Sequence, residues 1–344
     1  MDSPISHHNR LAGQVFMAIA DSQSKNESSF SVGTHCILRS IGPLFHDAVN
    51  ETVIADPSLK PKGENLEVTV DVYTGGKRLN YKNQPHHNKA SKKMHWIKAA
   101  YEIDMKSAAR MGHNTCNTVS PEEHIPLDGK GQTAKRSIAM AIAGTTTFSD
   151  KWSANNNFEK SRDIKFYTRG EGEKRTSAIR AIVNALFRSS MENELCADAI
   201  RLDMESGAFY LVVMPKIPAT KDELTSLAMT IDWGQFHDTF RKINRRFMVQ
   251  LPRITTLNSF NDIGKILSRI NNLGISSLLS SDKIEVSSIS NIEIVHNKTQ
   301  SNYETVLPKI CKRKELRINK PFLFVHGAEN GMIIDMGMYL KPLE

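Results

Sequence analysis

The chain has 344 residues, 40% hydrophobic and 24% charged, and its 45 basic and 37 acidic residues give a net charge of +8. That is ample apolar material for a well-buried core, and no apolar run reaches the length of a membrane span. The basic residues are densest at Lys89–Lys98 and Lys309–Arg317 with no aromatic platform interleaved, which argues against nucleic-acid binding.

In chain order, LAGQVFMAIA places Leu11, Val15, Phe16 and Ile19 at helical spacing behind the polar His7-His8-Asn9-Arg10 run. This predicts an amphipathic helix of the fold rather than a cleaved leader. A second helix is expected from Thr34 to about Leu44, and a loop over Asp56–Gly63. Leu66, Val68, Val70 and Val72 alternate with polar residues, the period-two pattern of a half-buried strand. A lysine-rich helix is expected over Lys89–Ala100, and strands over Ser137–Ala143, Ala208–Met214 and Phe247–Leu251. Phe260, Ile263, Ile266, Leu267 and Ile270 share a helical face within Ser259–Asn272, with Gly274 placed to end that helix. Strands follow at Lys283–Val295, Pro321–His326 and Met332–Leu340. Helices dominate the first half of this reading and strands the second, with no linker or repeat between them. The expectation is one α+β domain over residues 1–344 built around large sheets.

Catalytic chemistry finds little support. GKGQTAK at Gly129–Lys135 lacks the spacing of a phosphate loop, and the expected strand follows it instead of preceding it. The pairs His7-His8 and His86-His87 read as solvated histidines rather than metal ligands. The pairs Glu122-Glu123 and Asp222-Glu223 read as solvated surface. Cys36, Cys116, Cys196 and Cys311 form no CxxC pair, so they are taken as buried or free thiols. There is no G-x-S-x-G elbow. No catalytic residue, metal site or cofactor is expected, and the tryptophans and methionines are read as core filling.

The C-terminal INKPFLFVHGAENGMIIDMGMYLKP resembles the closing signature of the serpin family, with Pro321-Phe322 and Gly337 followed by Pro342 in the matching places. MVQLPRI at Met248–Ile254, INNLGISSLL, and TTFSDKWSANNNF with Phe148, Trp152 and Phe158 resemble further family segments in the right order. NRLAGQVFMAIA and SSFSVGTHCILRSIG fit its first two helices. The resemblance implies the serpin fold: large mixed sheets, surrounding helices and an exposed reactive-centre-type loop over residues 299–320. Three departures stand out. Gly144 occupies the place of a family asparagine, and Asp335 that of a buried aromatic. Residues 52–66 are too few for the two helices usual there, so a heparin-binding helix of that type is expected to be absent.

In inhibitory serpins this loop is bait, and after cleavage its first half enters the largest sheet as a new central strand. The resemblance places the hinge at Thr299, Gln300, Ser301 and Asn302. The hinge glycine is missing there, with Ser301 nearest its place. Small residues should follow; the chain has Tyr303, Glu304, Thr305, Val306, Leu307 and Pro308. Proline has no N–H to donate and is confined to sheet edges and bulges. Counting back from Pro321 puts the cleaved bond near Ile310-Cys311, among Lys309, Lys312, Arg313 and Lys314; counting forward from the hinge puts it near Glu315. Basic residues there suit a trypsin-like serine protease. The expectation is a monomeric serpin-like binding protein or decoy substrate with suicide inhibition lost. A competent inhibitor cleaved near Lys309–Lys314 and a polyanion-binding protein are the alternatives. Asn26, Asn50 and Asn297 head N-x-S/T triplets. Those triplets and the resemblance suit an extracellular protein; this numbering begins without a signal peptide, and a cytoplasmic location is the alternative.

Overall fold

The computed structural model describes residues 3–23, 28–41, 66–74, 77–79, 140–153, 158–189, 196–236, 244–253, 255–260, 263–270, 279, 284–295 and 315–342. Helix α1 (Pro4–Ser22) starts on a Ser3 cap whose Oγ accepts from the Ser6 N–H at 3.1 Å, with Pro4 preset for the first turn. Its buried stripe of His8, Leu11, Ala12, Val15, Phe16 and Ile19 follows the three-and-four spacing of the sequence. Helix α2 (Thr34–Ile41) is buried on nearly every side. Helix α3 (Lys221–Thr230) opens on a capping box formed by Thr220 and Glu223. One further helical turn, α4, covers Gly264–Leu267.

Fourteen strands are described: β1 Phe30–Val32, β2 Leu66–Thr74, β3 Lys77–Leu79, β4 Met140–Lys151, β5 Glu159–Thr168, β6 Gly172–Arg188, β7 Ala197–Asp203, β8 Phe209–Pro215, β9 Asn244–Pro252, β10 Thr255–Phe260, β11 Ile284–Val295, β12 Glu315–Arg317, β13 Phe322–Gly327 and β14 Ile333–Tyr339. They form two sheets. The first runs β10-β11-β4-β2-β3; the second runs β1-β14-β13-β8-β7-β6-β9-β12, with β5 also paired to β6. In the first sheet β4 and β11 are parallel and paired residue for residue from Ile284↔Met140 to Val295↔Lys151. Helix α2 packs against both sheets, touching β4 and β14. Its Ile37, Leu38 and Ile41 join Ile142 and Val286 of the first sheet and Met336 and Met338 of the second in one apolar core.

The strand expected at Leu66–Tyr73 is present as β2, and β8, β9, β11, β13 and β14 also hold to within a few residues. Three expectations change. Strands occupy the first half as well, because β1, β2, β3, β4 and β5 lie there. The helix expected over Ser259–Asn272 is confined, among the described residues, to Gly264–Leu267: Phe260 ends β10 and pairs with Ser288, so the sheet takes the start of the apolar pattern. The strand expected over Ser137–Ala143 continues to Lys151, carried along by its pairing with β11. The stretches 56–63 and 89–100, together with residue 274, lie outside the described residues.

Candidate functional site

The reactive-type loop is bounded by elements of different sheets. Strand β11 ends at Val295, opposite Lys151. Strand β12 begins at Glu315, parallel to β9 and opposite Met248. The hinge residues Thr299, Gln300, Ser301 and Asn302, the segment Tyr303–Pro308, and Lys309, Ile310, Cys311, Lys312, Arg313 and Lys314 lie outside the described residues. So do Asn26, Asn50, Asn297, Cys116, His86, His87, Glu122, Glu123 and Gly129–Lys135. Glu315 is described: it is exposed at the sheet edge, and its carboxylate accepts from Arg317 Nη2 at 2.9 Å.

Beneath the loop's entry to the first sheet, the β4–β11 pair presents small polar residues to the interior. Gly144 lies opposite Ser288 and Thr146 opposite Ser290, and all four are buried. Helix α2 approaches so closely that a Cβ on Gly144 would stand 2.3 Å from Ser40 Oγ and 2.7 Å from Cys36 Sγ. Only glycine fits there. Burial raises the Cys36 thiol pKa, against the pull of its neighbours Thr146, Ser40 and Ser288. Among the described thiols, Cys36 is buried and free and Cys196 is exposed and free.

Next to this seam stands Asp335, 0% exposed. It sits in a row across the second sheet: Asp335 of β14 faces His326 of β13, which faces Tyr210 of β8. Directly opposed residues share a sheet face, so the three side chains point the same way. Asp335 Oδ1 accepts from Ser290 Oγ at 3.2 Å and Oδ2 contacts His326 Nδ1 at 3.3 Å. Burial pushes the Asp335 carboxyl pKa up; hydrogen bonding and the charge of His326, with hydrogen bonds from Ser290 and Ser31, hold it back. The Tyr210 hydroxyl is driven well above its usual range by burial first and then by the Asp335 charge. Strand β14 stays paired to β13 along Asp335, and its carboxylate is partnered.

One sequence reading is corrected. His8 is 1% exposed rather than solvated. Its Nε2 lies 3.2 Å from the Ile333 carbonyl and its ring 5.2 Å from that of His35. Burial lowers its pKa to about 4 and lowers that of His35 as well. The signal was present, because His8 falls three and four residues before Leu11 and Ala12 on the apolar face of α1. Glu223 is exposed as expected, but it also serves α3, accepting from the Thr220 N–H at 2.8 Å and pairing with Arg169. Among the described residues no group of three or more His, Cys, Asp or Glu side chains could hold a metal ion, and no helix is long and apolar enough to cross a membrane.

The family model for Serpin (serine protease inhibitor) matches residues 62–342. Among solved structures, native protease nexin-1 with heparin is similar at 11% identity and a TM-score of 0.65, covering 99% of this chain and 100% of that one. Uncleaved ovalbumin is similar at 14% identity and a TM-score of 0.62, covering 98% and 100%. No curated protein sequence matches the chain. Identities this low carry the fold alone, an α+β arrangement of large mixed sheets and helices, whereas the family match spans most of the sequence. The chain belongs to the serpin family, whose members are in general protease inhibitors rather than enzymes.

Proposed function

We propose that this protein has kept the serpin scaffold but lost suicide inhibition, and that it acts by binding a partner or as a decoy substrate for a trypsin-like serine protease. The observation that carries this reading is the sequence Asn302–Pro308. A strand inserted between β4 and β11 must complete two ladders, and Pro308 has no N–H for either. Alternate side chains of that strand must also fit the inner face, where Gly144 already admits no Cβ beside α2. Tyr303, Leu307 and Glu304 are the wrong sizes or charge for such a face. The closed β4–β11 pair, with twelve residues matched on each strand, is consistent with a chain in which no segment has entered.

A competent inhibitor is the second reading, favoured by the basic residues of Lys309–Lys314. Glu315 belongs to a strand, which favours a cleaved bond among the basic residues before it. A polyanion-binding role has weaker support. Protease nexin-1 was solved with heparin, but several exposed cations here are already engaged: Lys165 with Glu173, Arg169 with Glu223, Lys174 with Glu171 and Arg317 with Glu315. The family's general setting and the N-x-S/T triplets favour an extracellular protein acting as a single domain and a monomer. Incubation with trypsin-like proteases followed by denaturing gel electrophoresis separates the first two readings. Cleavage without a covalent adduct is expected, and thermal melting should barely change after cleavage. A denaturant-resistant complex, or a large rise in melting temperature, overturns the proposal.

A further inference from the structure

The two buried histidines that join α1 to α2 have a bonding capacity that the fold leaves unused. His8 is 1% and His35 2% exposed, and their rings meet edge to face with centroids 5.2 Å apart and planes at 63°. Neither ring nitrogen of His35 has a hydrogen-bond partner. A buried imidazole with both nitrogens idle forfeits a donor and an acceptor, a cost that an apolar residue of similar size would avoid. His8 Nε2 lies 3.2 Å from the Ile333 carbonyl, the long end of the range for such a bond. That stretch of β14 is held in place by the next residue of α1: Asn9 Oδ1 accepts from the Ile333 N–H at 2.8 Å, and Asn9 Nδ2 donates to the Gly331 carbonyl at 3.0 Å.

These spacings are those of ligands on one tetrahedral cation. Two imidazoles bound at about 2.05 Å place their ring centroids about 5.2 Å apart, and an imidazole nitrogen and a carbonyl oxygen on the same ion stand about 3.4 Å apart. Burial keeps both rings uncharged at neutral pH, the form that binds metal. Arg39, one turn beyond His35, opposes a cation there, but it has interactions of its own. We infer that His8 Nε2, a ring nitrogen of His35 and the Ile333 carbonyl form a site for a zinc-like transition-metal cation, which ties α1 and α2 to the start of β14. Only two side chains take part, because the third donor is main chain, and the fourth position is left to water. Imidazole ligands favour zinc over calcium and magnesium, which prefer six or more oxygens. The site is independent of residues 302–308 and of whatever the loop binds.

Titration of the full chain with Zn²⁺ at neutral pH, followed by calorimetry, tests this. A saturable site taking one ion is expected, and Co²⁺ in its place should give the intense visible absorption of a tetrahedral complex. His8→Gln and His35→Gln should each weaken binding about 100-fold, at least the effect of losing a partner that orients a ligand. His7→Gln is the control, since it removes the neighbouring histidine and should leave affinity unchanged. If either glutamine variant fails to fold, hydrogen exchange on the unaltered protein decides: Zn²⁺ should slow amides in Ser6–Ala12, Thr34–Leu38 and Ile333–Asp335 and leave those of β5 and β6 at their rates. The site is overturned by absence of saturable Zn²⁺ binding or by an octahedral Co²⁺ spectrum. Affinity that survives both His8→Gln and His35→Gln, equal loss in His7→Gln, or protection confined to other segments would do the same.

Discussion

Strands β8 (to Met214), β13 and β14 and the described inner residues of the β4–β11 pair are all buried, but they are held there by different forces. Strands β8, β13 and β14 bury Phe322, Phe324, Tyr210 and Tyr339, with Phe322 stacked on Tyr339 at 5.2 Å and Tyr210 tilted on Phe324 at 5.6 Å. The β4–β11 pair buries Ile142, Val286 and Phe148, but between them it buries Gly144, Thr146, Ser288 and Ser290 and reaches Asp335 through one hydroxyl. Aromatic burial is nondirectional and grows with area; a hydrogen bond fails once its geometry is lost. One interior is thus held by buried area and the other partly by hydrogen-bond geometry.

Removing an aromatic should therefore cost the most. Phe324→Ala leaves a hole against Tyr210, Phe322 and His326, its ring neighbours. It should lower unfolding stability by about 4 kcal/mol. Urea denaturation measures this, and a loss below about 1 kcal/mol would mean that the aromatic layer is not what fastens the second sheet.

Acid probes buried polarity of a third kind, the His8–His35 pair joining α1 to α2. His8 has a folded pKa of about 4 and an unfolded one of 6.5. Between those values the unfolded chain binds more protons, so stability is full above pH 6.5 and falls as the pH drops toward 4. The change should approach about 3 kcal/mol for His8 alone, and His35 acts in the same direction. Asp335 acts oppositely: its raised folded pKa means that stability is lost as pH rises through it. Denaturation midpoints from pH 7 to 4 should fall in the native chain and fall less in His8→Gln. An unchanged slope in that variant refutes the assignment to His8.

At the seam the obstacle is steric. Gly144→Ala should cost about 2 kcal/mol because the new methyl meets Ser40 Oγ and Cys36 Sγ. Those two atoms are the whole obstacle, so Gly144→Ala should be better tolerated in a Ser40→Ala, Cys36→Ala background. A penalty that persists there would place the constraint in the backbone instead.

The contrast between the sheets also governs what could be read from sequence. Strand β2 was legible by the period-two rule, from its apolar alternation in sequence, and β13 from its continuous apolar run, which is buried throughout. Strand β6 was not, since Ile179, Ile182, Val183, Leu186 and Phe187 recur at three and four like a helix. Pairing of Ala178–Leu186 with β9 overrides that pattern. Strand β11 inverts the rule, burying Val286, Ser288 and Ser290 while Ser287 and Ile289 are only half-buried. Asp335 was visible as a carboxylate in an apolar strand, but its partner Ser290 lies 45 residues away, and nothing local joins the two.

Surface bonding gives the mildest case and the limit of the comparison. The Thr220 cap of α3 is directional like the Ser290 bond, with its Oγ1 accepting from the Glu223 N–H at 3.3 Å, but water reaches it. Thr220→Ala exposes that N–H to solvent rather than stranding it in a dry interior, so the loss should be about 1 kcal/mol. Thr220→Ser should restore most of it, because serine places the same oxygen at the cap. If Thr220→Ala costs as much as Gly144→Ala, directional bonds matter as much on this surface as in the seam, and the distinction between the two interiors loses its physical basis.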